Sequence, residues 1–131
     1  MPMHQLGVVE YLKGNYTAAG ENFERALQKI PAREAGTNWE AIHLNLGHAL
    51  RKQKRYAEAL RSYQKALGFH PRQAGTYTAI GFAHHLQNQL TKAIDNYQIA
   101  LMYDEHDTFA KEMLEIAAQE NLDLPDELLE L

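Results

Sequence analysis

Apolar residues recur along most of this chain at helical intervals, and no stretch shows the strict alternation of a strand. The segment His43-Leu44-Asn45-Leu46-Gly47-His48-Ala49-Leu50 carries one apolar stripe, with Leu46 and Leu50 pointing to a core. A second amphipathic stretch follows in Tyr56, Ala59, Leu60, Tyr63, Ala66 and Leu67, and the polar run Lys52-Gln53-Lys54-Arg55 separates the two as a turn. The pattern predicts two antiparallel helices. Pro71, after Phe69-His70, is expected to end the second helix and start the next, because proline suits a first helical turn and biases its predecessor away from helix.

The same unit recurs. Leu46-Gly47 returns as Ile80-Gly81, Ala59 as Ala93, Tyr63 as Tyr97 and Ala66 as Ala100, all at one shared offset. An earlier copy, set further back, carries Leu6-Gly7, Tyr16, Ala19, Phe23, Ala26 and Pro31, and the longer spacing reflects an insertion around Ala32 to Asn38. Gly47, Ala59 and Ala66 are small where helix axes about 8–10 Å apart leave no room for bulk. His48 reads as dispensable to that packing. A helix from about Thr108 to Glu120, with Asp107 as N-cap, resembles the first half of a fourth copy with Glu115 in the place of glycine. The expected organisation is therefore an array over 1–120, with repeats at about 1–33, 40–73 and 74–107, a partial repeat at 108–120, and a tail or short capping helix over 121–131. No polar cap precedes His4-Gln5-Leu6-Gly7, so the chain reads as a piece of a longer solenoid.

Composition narrows the chemistry. Seventeen acidic against 13 basic residues give a net charge of -4, and no basic footprint exists for a nucleic-acid backbone. The absence of cysteine excludes disulfides and thiolate chemistry and fits an intracellular protein. No apolar run has the length of a membrane span, and the start lacks the features of a signal peptide, so the chain reads as soluble and unexported. The seven histidines include His43 and His48, five apart, and the adjacent His84 and His85, but neither pair has metal-ligand spacing. The single serine, Ser62, lies within a helix, and the glycines never cluster to cradle a phosphate. No cofactor, metal site or catalytic residue is expected.

The succession of aromatic, Leu-Gly, Tyr, Ala, Tyr or Phe, Ala and Pro within each unit resembles the tetratricopeptide repeat. That resemblance implies an all-α solenoid of helix-turn-helix repeats, a right-handed superhelix whose first helices line a concave, peptide-binding face. The groove residues it implies are Tyr11, Asn45, His48, Arg51, Thr78, Phe82, His85 and Met113. Asn45 stands out because an amide donates to and accepts from a ligand backbone at once, and the bland alternative is a solvated helical asparagine. The carboxylate clamp of chaperone cofactors is absent: the matching places hold His4, Val8, Asn45, Gly75 and Ala79, and only the asparagine agrees.

Stretches such as Asn45-Leu46-Gly47-His48-Ala49-Leu50-Arg51-Lys52, Tyr56-Ala57-Glu58-Ala59-Leu60 and Thr76-Tyr77-Thr78-Ala79-Ile80-Gly81-Phe82 are similar to the carboxy-terminal repeats of the anaphase-promoting complex subunit 6 family. This likeness includes His48, Arg51 and Thr76, which the fold does not demand. It implies a non-catalytic scaffold of a cell-cycle ubiquitin ligase, working in nucleus and cytoplasm beside other subunits of the complex. It also implies that these repeats enclose the amino-terminal segment of a small accessory subunit. The alternatives are a generic repeat adaptor for an unrelated peptide and a spacer whose groove is filled by its own tail from Leu122.

Overall fold

A computed structural model describes residues 2–30 and 38–122, and among them every regular element is an α-helix. They are α1 (Met3–Leu12), α2 (Tyr16–Lys29), α3 (Trp39–Lys52), α4 (Tyr56–Phe69), α5 (Ala74–Leu86), α6 (Leu90–Tyr103) and α7 (Thr108–Leu122). The chain divides into two compact units, Met1–Arg72 and Gln73–Leu131. In the first, α1 pairs with α2 and α3 with α4, and α2 lies against α3. In the second, α5 pairs with α6, and α7 packs mainly on α6. The inserted stretch up to residue 37 and the expected tail from residue 123 lie outside the described residues.

One turn design closes all three hairpins. Gly14, Lys54 and Asn88 take positive φ angles of 87°, 63° and 60°. Each is followed by an amide that reaches back five positions: Asn15 N–H to Glu10 C=O at 2.8 Å, Arg55 to Leu50 at 2.9 Å, and Gln89 to His84 at 2.9 Å. This is the left-handed helix ending that satisfies orphan carbonyls. Glycine takes that backbone freely, asparagine tolerates it, and lysine does so at a cost.

The hairpins close on an aromatic ring. Phe23, Tyr63 and Tyr97 are buried to 1%, 0% and 0% exposure, and each ring lies over the glycine sixteen positions earlier: Gly7, Gly47 and Gly81. A Cβ on Gly47 would collide with Cε1 and Cδ1 of Tyr63, and one on Gly81 would sit 2.8 Å from Tyr97 Cδ1 and 3.2 Å from the Ala93 carbonyl. Around each ring the second helix presents alanines seven apart, Ala19 and Ala26, Ala59 and Ala66, Ala93 and Ala100, all buried. The glycine, the ring and the alanines together set the close approach of each helix pair.

Two local expectations resolve differently. Asp107 caps α7, accepting the Ala110 N–H at 2.9 Å. Pro71, however, does not start α5: α4 ends at Phe69, Pro71 and Arg72 form a turn, and α5 begins at Ala74. A fixed φ suits the second position of a turn as well as a first helical turn, and here the turn takes the proline.

Gly47→Ala should therefore destabilise the chain by about 1–3 kcal/mol, the overpacking cost outweighing alanine's better helix propensity. Lys54→Gly should stabilise it by about 1 kcal/mol through relief of the left-handed backbone. Urea melts followed through the single tryptophan, Trp39, compare the two; unchanged midpoints for Gly47→Ala would show that the Tyr63 ring does not sit on that glycine.

Candidate functional site

The buried rings differ by one atom, and that atom organises the side chains around it. Phe23 needs no polar partner, whereas the phenols of Tyr63 and Tyr97 would be costly to bury unbonded. In the first unit, the Tyr63 hydroxyl lies 2.9 Å from His48 Nδ1 and also accepts a hydrogen bond from the Arg51 guanidinium. Arg51 can only donate, and if His48 donated as well, the phenol proton would be left without an acceptor. Tyr63 therefore donates to His48 Nδ1, and the imidazole carries its proton on Nε2.

Burial, with the Arg51 charge adding to it, lowers the His48 pKa to about 4, so the ring is neutral at physiological pH. Burial pushes the Tyr63 phenol up to about 12. Asn45, one turn before, donates through Nδ2 to His4 Nε2 at 3.2 Å, and burial lowers the His4 pKa as well. Among the described residues, the amide oxygen of Asn45 and Nε2–H of His48 have no hydrogen-bond partner. Val8, Tyr11, Phe23, Asn45 and His48 line a cavity of about 110 Å³. Its walls are apolar or aromatic, with one free acceptor and one free donor on uncharged side chains.

The structure thus gathers Tyr11, Asn45 and His48 at one cavity, with Arg51 fixed behind it on Tyr63. His48 is not dispensable to the packing, as the sequence suggested, because it satisfies the largest buried polar ring of its unit.

In the second unit Thr78 is buried, and its hydroxyl donates to Asp107 Oδ2 at 2.8 Å, tying α5 to the cap of α7. Phe82 makes an edge-to-face contact with Phe109 at 5.5 Å. Met113 packs with Phe82 against buried Tyr97 and Ala117. His85 bridges three helices: Nδ1 lies 3.2 Å from the Tyr97 hydroxyl and Nε2 lies 3.2 Å from Glu120 Oε1. Burial, with the Glu120 charge adding to it, raises the Tyr97 phenol.

Sequence reasoning missed Glu120 and the second role of Asp107. The available signal was tyrosine at a buried ring position, which demands a polar partner on the facing helix. Its register differs between copies: His48 follows its glycine by one position and His85 by four. Among the described residues no three His, Asp or Glu side chains converge to hold a metal ion. No described helix is long and apolar enough to cross a membrane.

Comparison with known proteins places this geometry in context. The family model described as tetratricopeptide repeat matches residues 1–69. The human "Cell division cycle protein 16 homolog" is 41% identical over 115 residues, covering 86% of this chain and 18% of that protein. "Anaphase-promoting complex subunit 6" of Arabidopsis thaliana is 35% identical over 114 residues, covering 87% of this chain and 21% of that protein. The chain thus spans about a fifth of the length of these relatives. The crystal structure of the APC/C hetero-tetramer Cut9–Hcn1 superposes with a TM-score of 0.84 at 28% identity, over 88% of this chain and 22% of the matched one.

A histidine whose folded pKa lies below its unfolded value leaves the native state fully favoured above pH 6.5, and that advantage is lost as the pH falls toward 4. Replacing His48 by phenylalanine, the residue at the same register in the next repeat (Phe82), removes this titration. Between pH 7 and pH 5 the wild type should lose about 2 kcal/mol more stability than His48→Phe. Parallel slopes in denaturant melts at the two pH values would show that His48 is not buried neutral.

Proposed function

The chain belongs to the tetratricopeptide-repeat family, and from that premise we infer that it is a non-catalytic protein-interaction scaffold of the anaphase-promoting complex subunit 6 type. The observation that carries the reading is the cavity in the first unit. Its free Nε2–H on His48 and free amide oxygen on Asn45 match the acceptor and donor of a peptide unit, and its volume of about 110 Å³ suits one aliphatic side chain. Both polar groups are held by partners behind them, His48 by Tyr63 and Asn45 by His4, so little ordering remains to be lost on binding.

The proposed partner is the amino-terminal segment of the small accessory subunit of the anaphase-promoting complex. In the first unit Asn45 and His48 contact its backbone, Tyr11 lines the pocket and Arg51 holds His48 in place through Tyr63. Phe82, His85 and Met113 form the proposed contact set of the second unit, and Thr78, buried on Asp107, stands outside it. Other subunits of the same ubiquitin ligase are its further neighbours, in nucleus and cytoplasm, and cofactors have no part in the work. The Arabidopsis relative named for that complex supports this reading at 35% identity, and the neighbouring APC/C structure, itself a hetero-tetramer, supports it as well.

Titration calorimetry with a synthetic peptide of that amino-terminal segment tests the assignment. The wild-type chain should bind and melt at a higher temperature with peptide present, since a ligand of the folded state alone shifts the equilibrium toward it. Asn45→Ala should weaken binding about five- to 150-fold, the loss of one desolvated hydrogen-bonding group. Absence of heat and of any melting shift with the wild type would leave a generic adaptor for another peptide, and equal binding by Asn45→Ala would take the cavity out of the reading.

A further inference from the structure

The turn between α3 and α4 concentrates positive charge that neither the packing nor the cavity at His48 uses. In this chain of net charge -4, Arg51-Lys52-Gln53-Lys54-Arg55 places four basic residues in five positions. The equivalent turns, Lys13-Gly14-Asn15 and Gln87-Asn88-Gln89, carry one base and none. Lys54 holds its apex at a φ of 63°, where the other two hairpins have the glycine and the asparagine that tolerate a left-handed backbone. Backbone strain of this kind gathers at functional positions, where the side chain serves something other than stability.

The four cations differ in what they already hold. Arg51 is engaged by the Tyr63 phenol, and Arg55 donates from Nε to Glu58 Oε1 at 3.0 Å and from Nη1 to Gln53 Oε1 at 3.3 Å. Lys52 and Lys54 are exposed, and among the described residues neither pairs with a carboxylate. Lys52 is nonetheless positioned, its Nζ standing 5.5 Å from the centre of the Tyr16 ring. Together with Tyr16, Thr17, Gln53 and Arg55 it borders an open cavity of about 750 Å³ in the first unit. The start of α2 forms the other wall. Its N-cap residue, Asn15, turns its amide to Glu10 Oε2 at 2.7 Å, so the first-turn N–H groups of α2 have no side-chain acceptor, and that turn holds no acid. Glu21, further along α2, is the single carboxylate lining the cavity.

We propose that this turn edge is a docking site for an acidic segment of a partner protein, with Lys52 and Lys54 meeting its aspartate or glutamate side chains and one carboxylate entering the cavity toward the start of α2. The site goes beyond the cavity at His48 and shares no residue with it. Charge complementarity selects the occupant. An extended phosphate backbone or an anionic membrane would carry its charge past the lysines onto Glu21, Glu24 and Glu58, which surround the cavity and Arg55. A short acidic stretch stays within the span of the turn. The same turn of a second copy would set base against base.

Fluorescence anisotropy with three labelled peptides of ~12 residues tests this: a glutamate-rich one, its glutamine counterpart and its lysine counterpart. The acidic peptide should bind the full chain, more weakly as salt rises, and the other two should not bind. Lys52→Glu should weaken it at least about tenfold, with the helical signal and melting point checked by circular dichroism. Lys54→Gly should weaken it roughly three- to tenfold while raising the melting temperature, so that the lost binding cannot come from a lost fold. Lys92→Gln, which removes an exposed charge from the second unit, should leave binding unchanged. Equal binding of the glutamine peptide, undiminished binding by Lys52→Glu or Lys54→Gly, or an equal loss with Lys92→Gln overturns the proposal. Tighter binding of a single-stranded oligonucleotide or of phosphatidylserine vesicles than of the acidic peptide does so too. So does self-association that Lys54→Gly disperses, because the occupant is then the acidic stretch of a second copy that holds Asp123, Asp126, Glu127 and Glu130.

Discussion

Three aromatic rings pressed onto three glycines hold this molecule's hairpins shut. Phe23, Tyr63 and Tyr97 have no solvent exposure to speak of, and the space each fills is the space that any Cβ on Gly7, Gly47 or Gly81 would occupy. The alanines seven apart on each second helix let the backbones approach closely enough for the ring to reach its glycine. The identical left-handed turns then follow, because a hairpin locked at that distance leaves only a few residues to reverse the chain. At α7 the pattern stops. Glu115 occupies the glycine's place and is exposed, so α7 is held by Ala110 and Ala117 packed inward, by Phe82 against Phe109, and by the Thr78–Asp107 and His85–Glu120 hydrogen bonds.

From the ring the polar chemistry follows. A phenylalanine closes the first hairpin and asks nothing more of its neighbours. A tyrosine closes the second and third, and each phenol recruits a histidine from the facing helix. In the first unit the recruited His48 is neutral and exposes an N–H beside the Asn45 amide; in the second, His85 passes the interaction on to Glu120 and so fixes a carboxylate at the surface. One buried hydroxyl in each unit thereby acts through a histidine, fixing the tautomer of a candidate binding group in the first and the position of a charge in the second.

The helices, their pairing and the small residues at the crossings were legible in the sequence because each depends on residue type at fixed spacing. Leu46-Gly47 and Ile80-Gly81 announce the same packing one repeat apart. The cavity was legible only in part. Tyr11, Asn45 and His48 were placed on one face by the resemblance to the repeat family, yet that resemblance does not reveal that His4 takes the Asn45 amide hydrogen or that Tyr63 fixes the His48 tautomer. Those facts depend on contacts between side chains 41 and 15 positions apart. Thr78 read as a groove residue and is instead buried on Asp107, for the same reason: an outward register does not exclude a nearby carboxylate from a following helix. Pro71 misled in a simpler way, since its fixed φ serves a turn and a helix start equally well.

The one-atom difference between Phe23 and Tyr63 has a consequence for how such a molecule diversifies. In most folds the interior can drift among similar hydrophobic residues while the exterior changes independently. Here the two are coupled: a phenylalanine-to-tyrosine exchange at the ring leaves the backbone arrangement untouched but obliges a polar residue to appear on the facing helix, one or four positions beyond the glycine. Each hairpin can therefore acquire a new outer chemistry through an inner substitution, independently of the hairpins before and after it. A lineage of these repeats should vary its ligands in step with the identity of its buried rings.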